Sequence, residues 1–174
     1  DYWLALAESH NALSSDIRVY QGSQALREAR VMRHAVPATL NERGAQFRSA
    51  GGRKVSTDWA VPFSLLRRAL EVSDEAVRKN GAPIPITYGH AGNGHPHQNF
   101  IATNSEDLDR INAAVEETLH RVIELGGTVS AEHGLGKLKS HWLVLQFSPM
   151  QMSVMRAIKA SLDPEGMFAP GNIL

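Results

Sequence analysis

The chain has 174 residues, with 18 Lys+Arg balanced by 18 Asp+Glu, and it contains no cysteine. This length suits one domain with a hydrophobic core. The balanced charge argues against nucleic acid or an acidic membrane surface as a partner. The lack of cysteine excludes disulfides, thiol catalysis and thiolate metal ligands. No apolar run of about 18 residues is present, so no membrane-spanning segment is expected.

Helical and strand patterns alternate along the chain. In order, they predict a helix over residues 2–13, a strand over 17–20, a helix over 23–34, a strand over 54–61, a helix over 63–79, a hairpin over 86–100, a helix over 105–125, a strand over 128–131 and helices over 135–145 and 149–162. Pro37 is expected to end or restart the second helix, and Ser105 to cap the helix after the hairpin. This succession predicts an α+β fold, a mainly antiparallel sheet with helices packed on one face.

The hairpin ITYGHAGNGHPHQNF carries the clearest chemical signal. Its turn is rich in glycine, and His95, His97 and Asn99 alternate on one face of the second strand. His90 ends the first strand, across the turn. Two imidazoles and a carboxylate form a common ligand set for first-row metals, so His90, His97 and Glu132 are candidate metal ligands. The alternative is that the histidines are surface residues, which is the favoured interpretation for His95 because it follows the turn.

Glu132 and His133 end the strand predicted over residues 128–131. Neighbouring strand residues point to opposite faces, so both can reach one site only where the strand ends or bulges, as Gly134 allows. A histidine beside a metal-bound carboxylate could act as a general base. The alternative is a strand-end pair with a solvated histidine.

Two further groups are candidates for ligand contacts. Arg30, Arg33 and Lys54 could hold a substrate carboxylate, although surface ion pairs are an alternative for each of them. The tail segment Pro170-Gly171-Asn172 could line a ligand with its backbone, or could simply be a chain end.

Four ordered motifs resemble one known family. They are GHAGNGHPHQN at residues 89–99, GGTVSAEHGLGKLK at 126–139, IKASLDPEGMFAPGNIL at 158–174, and an arginine, Arg33, before TDWAVP at 57–62. Together they resemble the C-terminal part of the FAD-linked oxidases of the vanillyl-alcohol-oxidase and p-cresol-methylhydroxylase type, in the group of glycolate oxidase, D-lactate dehydrogenase and D-2-hydroxyglutarate dehydrogenase. In the first motif Asn93 replaces the family's Asp and His95 replaces its Asn. In the tail Ala169 replaces Asn and Asn172 replaces Lys.

The resemblance implies a role for each matching residue. His90, His97 and Glu132 match ligands of a divalent metal such as Zn, Mn or Fe, and His133 matches the catalytic base. The substrate-contacting positions are Arg33, Asn99 and, more loosely, Lys54. Pro170, Gly171 and the replaced Asn172 match a segment near the flavin.

The resemblance also implies an architecture and an activity. Residues 1–174 would form a C-terminal substrate or cap domain, a truncated ferredoxin-like fold, while FAD would be held mainly by an N-terminal domain absent from this chain. The full protein would oxidise a small 2-hydroxy acid, such as glycolate or D-lactate, to the 2-oxo acid and pass electrons to an acceptor or partner subunit. The alternative is a non-redox metal-binding or partner-docking module of a split oxidase complex. A cytoplasmic location, peripheral to a membrane or free of it, and homo-oligomers are compatible with this interpretation.

Overall fold

The computed structural model describes residues 2–13, 15, 17–137 and 139–173. Two compact units are present, residues 1–39 and residues 40–174. The helices are α1 (Tyr2–Ser9), α2 (Gly22–Ala45), α3 (Leu66–Lys79), α4 (Ser105–Glu124), α5 (Leu143–Gln146) and α6 (Pro149–Leu162), and the strands are β1 (Gly51–Ser56), β2 (Ile86–His90) and β3 (His95–Asn104). The sheet and every candidate site residue except Arg33 and Arg30 belong to the second unit.

The three strands form an antiparallel sheet in the order β1-β3-β2. Helices α3 and α4 pack against each other, and α4 packs on β1 and β3. The hydrophobic core lies between this helical layer and the sheet, where Phe100 and Ala102 of β3 meet Ile111, Val115 and Leu119 of α4. The predicted α+β class, with an antiparallel sheet and helices on one face, is confirmed.

The register of the sheet places the core residues on one face and the candidate site residues on the other. Opposed residues on paired strands share a face, and Val55 is opposite Phe100 on the core side. One residue along, Ser56 is opposite Asn99, and His97 is opposite Tyr88. The polar candidates therefore lie on the sheet face turned away from α4, because side chains alternate along each strand.

Several predicted boundaries are wrong. Residues 17–20 form no strand, and α2 continues through Pro37 instead of stopping before it. The strand predicted over 54–61 is β1, which ends at Ser56. Beyond it only isolated bridges form, Asp58 to Ser130 and Ala60 to Thr128, so 128–131 is not a full strand either. Both segments leave the regular sheet to pair with each other beside the hairpin turn.

The predicted helix ends also differ in detail. Asn104, and not Ser105, caps α4, because its side-chain oxygen accepts the N–H of Asp107 at 2.8 Å. The helix predicted over 135–145 forms only from a short 3-10 turn at Ser140–Trp142 into α5, and residue 138 lies outside the described residues. The start of α6 is as predicted, since Ser148 caps it in a capping box with Gln151.

Candidate active site

The hairpin turn is held tightly against the segment that follows β1. Gly94 has a φ of +67°, and a Cβ on it would lie 2.0 Å from the carbonyl oxygen of Val61. A Cβ on Gly89 would lie 2.5 Å from the carbonyl oxygen of His95. Only glycine fits such close approaches. The turn therefore places His90 directly opposite His95 at the end of the sheet.

The hairpin and the segment after residue 130 meet at the Glu132 carboxylate. Its Oε1 lies 3.1 Å from His97 Nε2 and 3.4 Å from His90 Nε2. One ligand atom from each of His90, His95, His97 and Glu132 lies within 4.8 Å of the others. The structure thus brings the three sequence-predicted metal ligands together and adds a third imidazole to them.

His97 is the most buried of the three predicted ligands, with a side chain 8% exposed. Burial lowers the pKa of His97, and the neighbouring His95 and His133 lower it further, while Glu132 and Asp58 act in the opposite direction. The net result is a pKa below the ordinary histidine value, which favours the neutral ring. A neutral imidazole is the form that binds a metal.

His133 lies beside this cluster and faces solvent, with its side chain 56% exposed. Its ring stacks on that of His97 at a centroid distance of 4.8 Å and an interplanar angle of 12°. Gly134 follows with a φ of +67° and turns the chain away. The predicted base is therefore close to the predicted ligands and remains accessible to a substrate.

Asp58 is a residue of this cluster that the sequence analysis does not identify. Its side chain is fully buried, and its Oδ2 accepts hydrogen bonds from the Ser130 hydroxyl and from the N–H groups of Ala131, Glu132 and His133 at 2.7–3.2 Å. Burial raises the pKa of Asp58, but the hydrogen bonds from Ser130 and His133, the charge of His133 and the contact with His95 together hold it below its ordinary value. The available signal was an acidic residue in the otherwise apolar and hydroxyl-bearing stretch VSTDWAV.

His95 contradicts the favoured interpretation of a surface residue. It is only 5% exposed, and its Nε2 lies 2.9 Å from Asp58 Oδ1. Because Asp58 is buried, it draws a polar partner inward, and His95 occupies that position at the start of β3. The local sequence did not reveal this, since the two residues are 37 positions apart.

The predicted substrate-contacting residues Lys54 and Asn99 lie on the same sheet face as His97. Asn99 Oδ1 accepts the Ser56 hydroxyl at 2.8 Å, and Lys54 Nζ donates to Asn41 Oδ1 at 2.8 Å. Burial lowers the pKa of Lys54.

A cavity of about 520 Å³ opens beside Lys54 and Ser56. Its wall includes Arg53 and Lys139 together with one acidic residue, Glu116. Burial lowers the pKa of Lys139, and the charge of Asp58 opposes that effect. The cavity wall thus carries three cationic side chains and one anionic one, a balance that suits an anionic ligand. Lys139 was not singled out from the sequence, although it ends the second motif.

The remaining predicted residues are not part of the cluster. Arg33 is exposed on α2 in the first compact unit, so its contact with substrate stays a prediction. Pro170 and Gly171 line a separate cavity of about 320 Å³ beside α6. The Asn172 side chain lies near Gly136, since a Cβ there would be 3.7 Å from Asn172 Oδ1.

In the part of the chain that the structure describes, no helix has both the length and the apolar character required to cross a bilayer.

Comparison with known proteins places the chain in a family. Residues 4–173 match the model for FAD linked oxidases, C-terminal domain. The chain is 32% identical over 118 residues to glycolate oxidase subunit GlcD of Bacillus subtilis, covering 67% of the chain and 25% of that protein. It is 31% identical over 126 residues to a probable mitochondrial D-lactate dehydrogenase of Danio rerio, covering 71% of the chain and 25% of that protein.

The name of a third relative refers to a larger 2-hydroxy acid. The chain is 35% identical over 95 residues to D-2-hydroxyglutarate dehydrogenase of Stutzerimonas stutzeri, covering 51% of the chain and 20% of that protein. In each case the match spans a quarter or less of the relative's length. With nearly its whole length matched, the chain belongs to the family of FAD linked oxidases, C-terminal domain.

Proposed function

We propose that this chain supplies the substrate site of a flavin-dependent oxidoreductase that oxidises a small 2-hydroxy acid, such as glycolate or D-lactate, to the 2-oxo acid. The observation that carries the proposal is the convergence of His90, His97 and Glu132 beside an accessible His133. The relatives named glycolate oxidase, D-lactate dehydrogenase and D-2-hydroxyglutarate dehydrogenase support the same substrate class.

The donor set fits a divalent metal such as Zn, Mn or Fe. Imidazole nitrogens and one carboxylate oxygen lie within 4.8 Å of one another, and His97, the most buried of the three proposed ligands, favours its neutral form. When bound, such an ion lowers the pKa of a coordinated hydroxyl group. In this proposal His90, His97 and Glu132 would hold the ion, and the negative charge of Glu132 would offset part of the charge of the ion.

The chain's own part in the reaction is proton removal and positioning. His133 takes the proton of the substrate hydroxyl, and the hydrogen on the same carbon leaves as a hydride, so that the C–O bond becomes the carbonyl of the 2-oxo acid. FAD, when bound, accepts that hydride. His133 suits this role because its ring is both beside the ligands and open to solvent.

The substrate carboxylate is assigned to the cationic side of the site. Lys54 and Asn99 share the sheet face of His97, and the adjacent cavity bears an excess of positive charge. Arg33 is proposed as a further partner of that carboxylate on the basis of its motif. Orientation by such contacts brings the hydroxyl toward His133 and contributes to the rate by fixing the reacting geometry.

FAD is proposed to be held mainly by a domain outside residues 1–174. Pro170, Gly171 and Asn172 would contribute only an edge of its site, since Pro170 and Gly171 are exposed residues lining a small cavity. The 174-residue chain alone should therefore purify colourless. Stoichiometric FAD on the isolated chain would contradict this division of the site.

The test is reduction of the flavin by glycolate and D-lactate in the FAD-loaded protein that carries this chain, followed by stopped-flow absorbance. General-base catalysis typically contributes about 10²–10⁴-fold, so His133→Ala should slow reduction by about that factor. His97→Ala should lose the metal, and added metal should partly restore it. His120→Ala, on an exposed site of α4, is the matched control.

Reduction at the parent rate by His133→Ala would show that His133 is not the base. Metal binding without any flavin reduction by 2-hydroxy acids would favour the alternative of a non-redox metal-binding module.

A further inference from the structure

We propose that Asp58 is the positioning carboxylate of this site: it fixes the backbone that delivers Glu132 and His133, and it orients the rings of His97 and His133 so that their Nε2 atoms face the metal position. The inference rests on the proposed function, because it assigns to Asp58 the positioning of the proposed metal ligands and of the proposed base, His133. Asp58 is fully buried, and it lies on neither the hairpin nor the segment of residues 132–134.

The first half of the argument concerns the backbone. One oxygen of Asp58, Oδ2, accepts three successive N–H groups, those of Ala131 at 3.1 Å, Glu132 at 3.2 Å and His133 at 2.8 Å. It also accepts the Ser130 hydroxyl at 2.7 Å. Successive N–H groups that converge on one point form an anion-binding nest. The segment 130–133 is therefore wrapped around a buried charge, and this curvature lets neighbouring residues 132 and 133 both reach the cluster.

The second half concerns the imidazoles. The other oxygen, Oδ1, lies 3.4 Å from His133 Nδ1 and 3.9 Å from His97 Nδ1. On the opposite edge of the same two rings, the Nε2 atoms lie 3.5 Å and 3.1 Å from Glu132 Oε1. Each ring is thus placed between two carboxylates, with Nδ1 toward the buried Asp58 and Nε2 toward the more exposed Glu132.

This arrangement selects a tautomer once a cation is bound beside Glu132. A carboxylate oxygen without a proton only accepts hydrogen bonds, so Asp58 favours a proton on the Nδ1 atoms and Glu132 favours one on the Nε2 atoms. A cation beside Glu132 would remove the competition at Nε2, and Asp58 would hold the proton on Nδ1. The lone pair of each ring is then on Nε2, where it can bind an ion or accept a proton. Histidines that bind metals generally donate the other ring N–H to a carboxylate or carbonyl, which fixes the ring and raises its basicity.

One unsatisfied atom marks the ring nitrogen of His97 that needs a partner. Among the described residues, His97 Nδ1 is buried and has no hydrogen-bond partner. A buried polar atom without a partner is costly, and Asp58 Oδ1 is the carboxylate that faces it at 3.9 Å. A displacement of the ring by about 1 Å would bring Nδ1 within hydrogen-bond distance of this oxygen, which also lies 2.9 Å from His95 Nε2.

The proposal is tested by metal affinity in the 174-residue chain, measured for Zn²⁺ by competition with a chromophoric chelator. Loss of an outer carboxylate partner typically costs about 10–100-fold in metal affinity, so Asp58→Asn should weaken binding by that factor. Asp163→Asn is the matched control, because Asp163 is also buried and accepts the N–H groups of Met167 and Phe168, but lies outside the cluster. Its metal affinity should equal that of the parent.

Two outcomes would overturn the proposal. Parent-like affinity in Asp58→Asn would show that the carboxylate does not support the site. A loss as complete as that of Glu132→Gln would make Asp58 a ligand and not a positioning residue. If Glu132→Gln itself binds Zn²⁺ like the parent, the proposed metal site fails, which distinguishes that failure from a failure of the Asp58 role.

A spectroscopic measurement separates orientation from simple loss of structure. In the Zn²⁺-loaded chain labelled with ¹⁵N-histidine, the ring nitrogen shifts of His97 and His133 should report protons on Nδ1 in the parent. Asp58→Asn should shift both toward protonation on Nε2. Protons on Nε2 in the parent would overturn the tautomer assignment.

A milder variant covers the case in which Asp58→Asn does not fold. Ser130→Ala keeps the carboxylate and removes one of its four hydrogen bonds on Oδ2. Since one such bond contributes roughly 0.5–1.5 kcal/mol, Zn²⁺ binding should weaken about 2–10-fold. An unchanged affinity in that variant would contradict the positioning role.

Discussion

Gly94→Ala tests whether the hairpin turn is fixed by backbone contact with the segment after β1. At a φ of +67°, an alanine would adopt the left-handed region, which costs roughly 1–2 kcal/mol. Its Cβ would also lie 2.0 Å from the carbonyl oxygen of Val61, so the turn must move away. Overpacking of this kind typically costs about 1–3 kcal/mol. The expected destabilisation is therefore about 2–5 kcal/mol.

The matched control is Gly92→Ala in the same turn, where an added Cβ meets nothing within 4 Å. Its effect should stay within about 0.5 kcal/mol, as for most surface substitutions. Urea unfolding followed by circular dichroism measures the free energy of unfolding of both variants. Thermal unfolding measures their Tm, and for a chain of this size each kcal/mol corresponds to about 2–4 °C. Gly94→Ala should thus lower Tm by about 4–20 °C. A parent-like Tm for Gly94→Ala, or an equal loss in Gly92→Ala, would refute the argument.

Three further predictions concern other parts of the chain. Asn104→Ala should cost about 0.5–2 kcal/mol in urea unfolding, because it removes the cap of α4, whereas Ser105→Ala should cost less than about 0.5 kcal/mol. The hydrogen bond from Lys159 holds the pKa of Asp163 below its ordinary value. The backbone N–H groups of Phe168 and Met167 lower this pKa further, and burial opposes them. The stabilisation from the ionised Asp163 carboxylate is complete at a pH above the ordinary aspartate pKa and is lost as the pH falls below that pKa and through the lowered one. The unfolding midpoint of Asp163→Asn should therefore depend less on acid pH than that of the parent. Lys139→Ala should raise KM for a 2-hydroxy acid by about tenfold or more, with little change from Lys137→Ala, in steady-state assays of the FAD-loaded protein.

Local signals predicted the parts of the structure that depend on short-range pattern. The glycine-rich turn between His90 and His95 follows from the two strand patterns and a turn that needs backbone freedom. The amphipathic stripes of α3 and α4 were equally clear, and so was the helix that begins at Pro149. In each case the deciding interactions lie within a few residues along the chain.

The missed features depend on long-range contacts. Asp58 acts through residues 72–75 positions away in sequence, and no local pattern links it to segment 130–133. His95 was interpreted as a surface residue because the buried partner that draws it inward was not recognised. The strand predicted over 54–61 ends at Ser56 for a related reason, since the chain then pairs with 128–131 through isolated bridges.

The most direct test of the proposed metal centre is X-ray absorption spectroscopy at the zinc edge on the Zn²⁺-loaded chain. We predict one ion per chain. The spectrum should show scattering from imidazole rings bound at about 2.0–2.1 Å, the distance typical of zinc–histidine bonds, and from one oxygen ligand, which we assign to Glu132. His97→Ala should reduce the imidazole signal, and His120→Ala should leave it unchanged. A shell made of oxygen atoms alone, or an imidazole signal that persists unchanged in both His97→Ala and His90→Ala, would contradict the assignment of this cluster as the metal site.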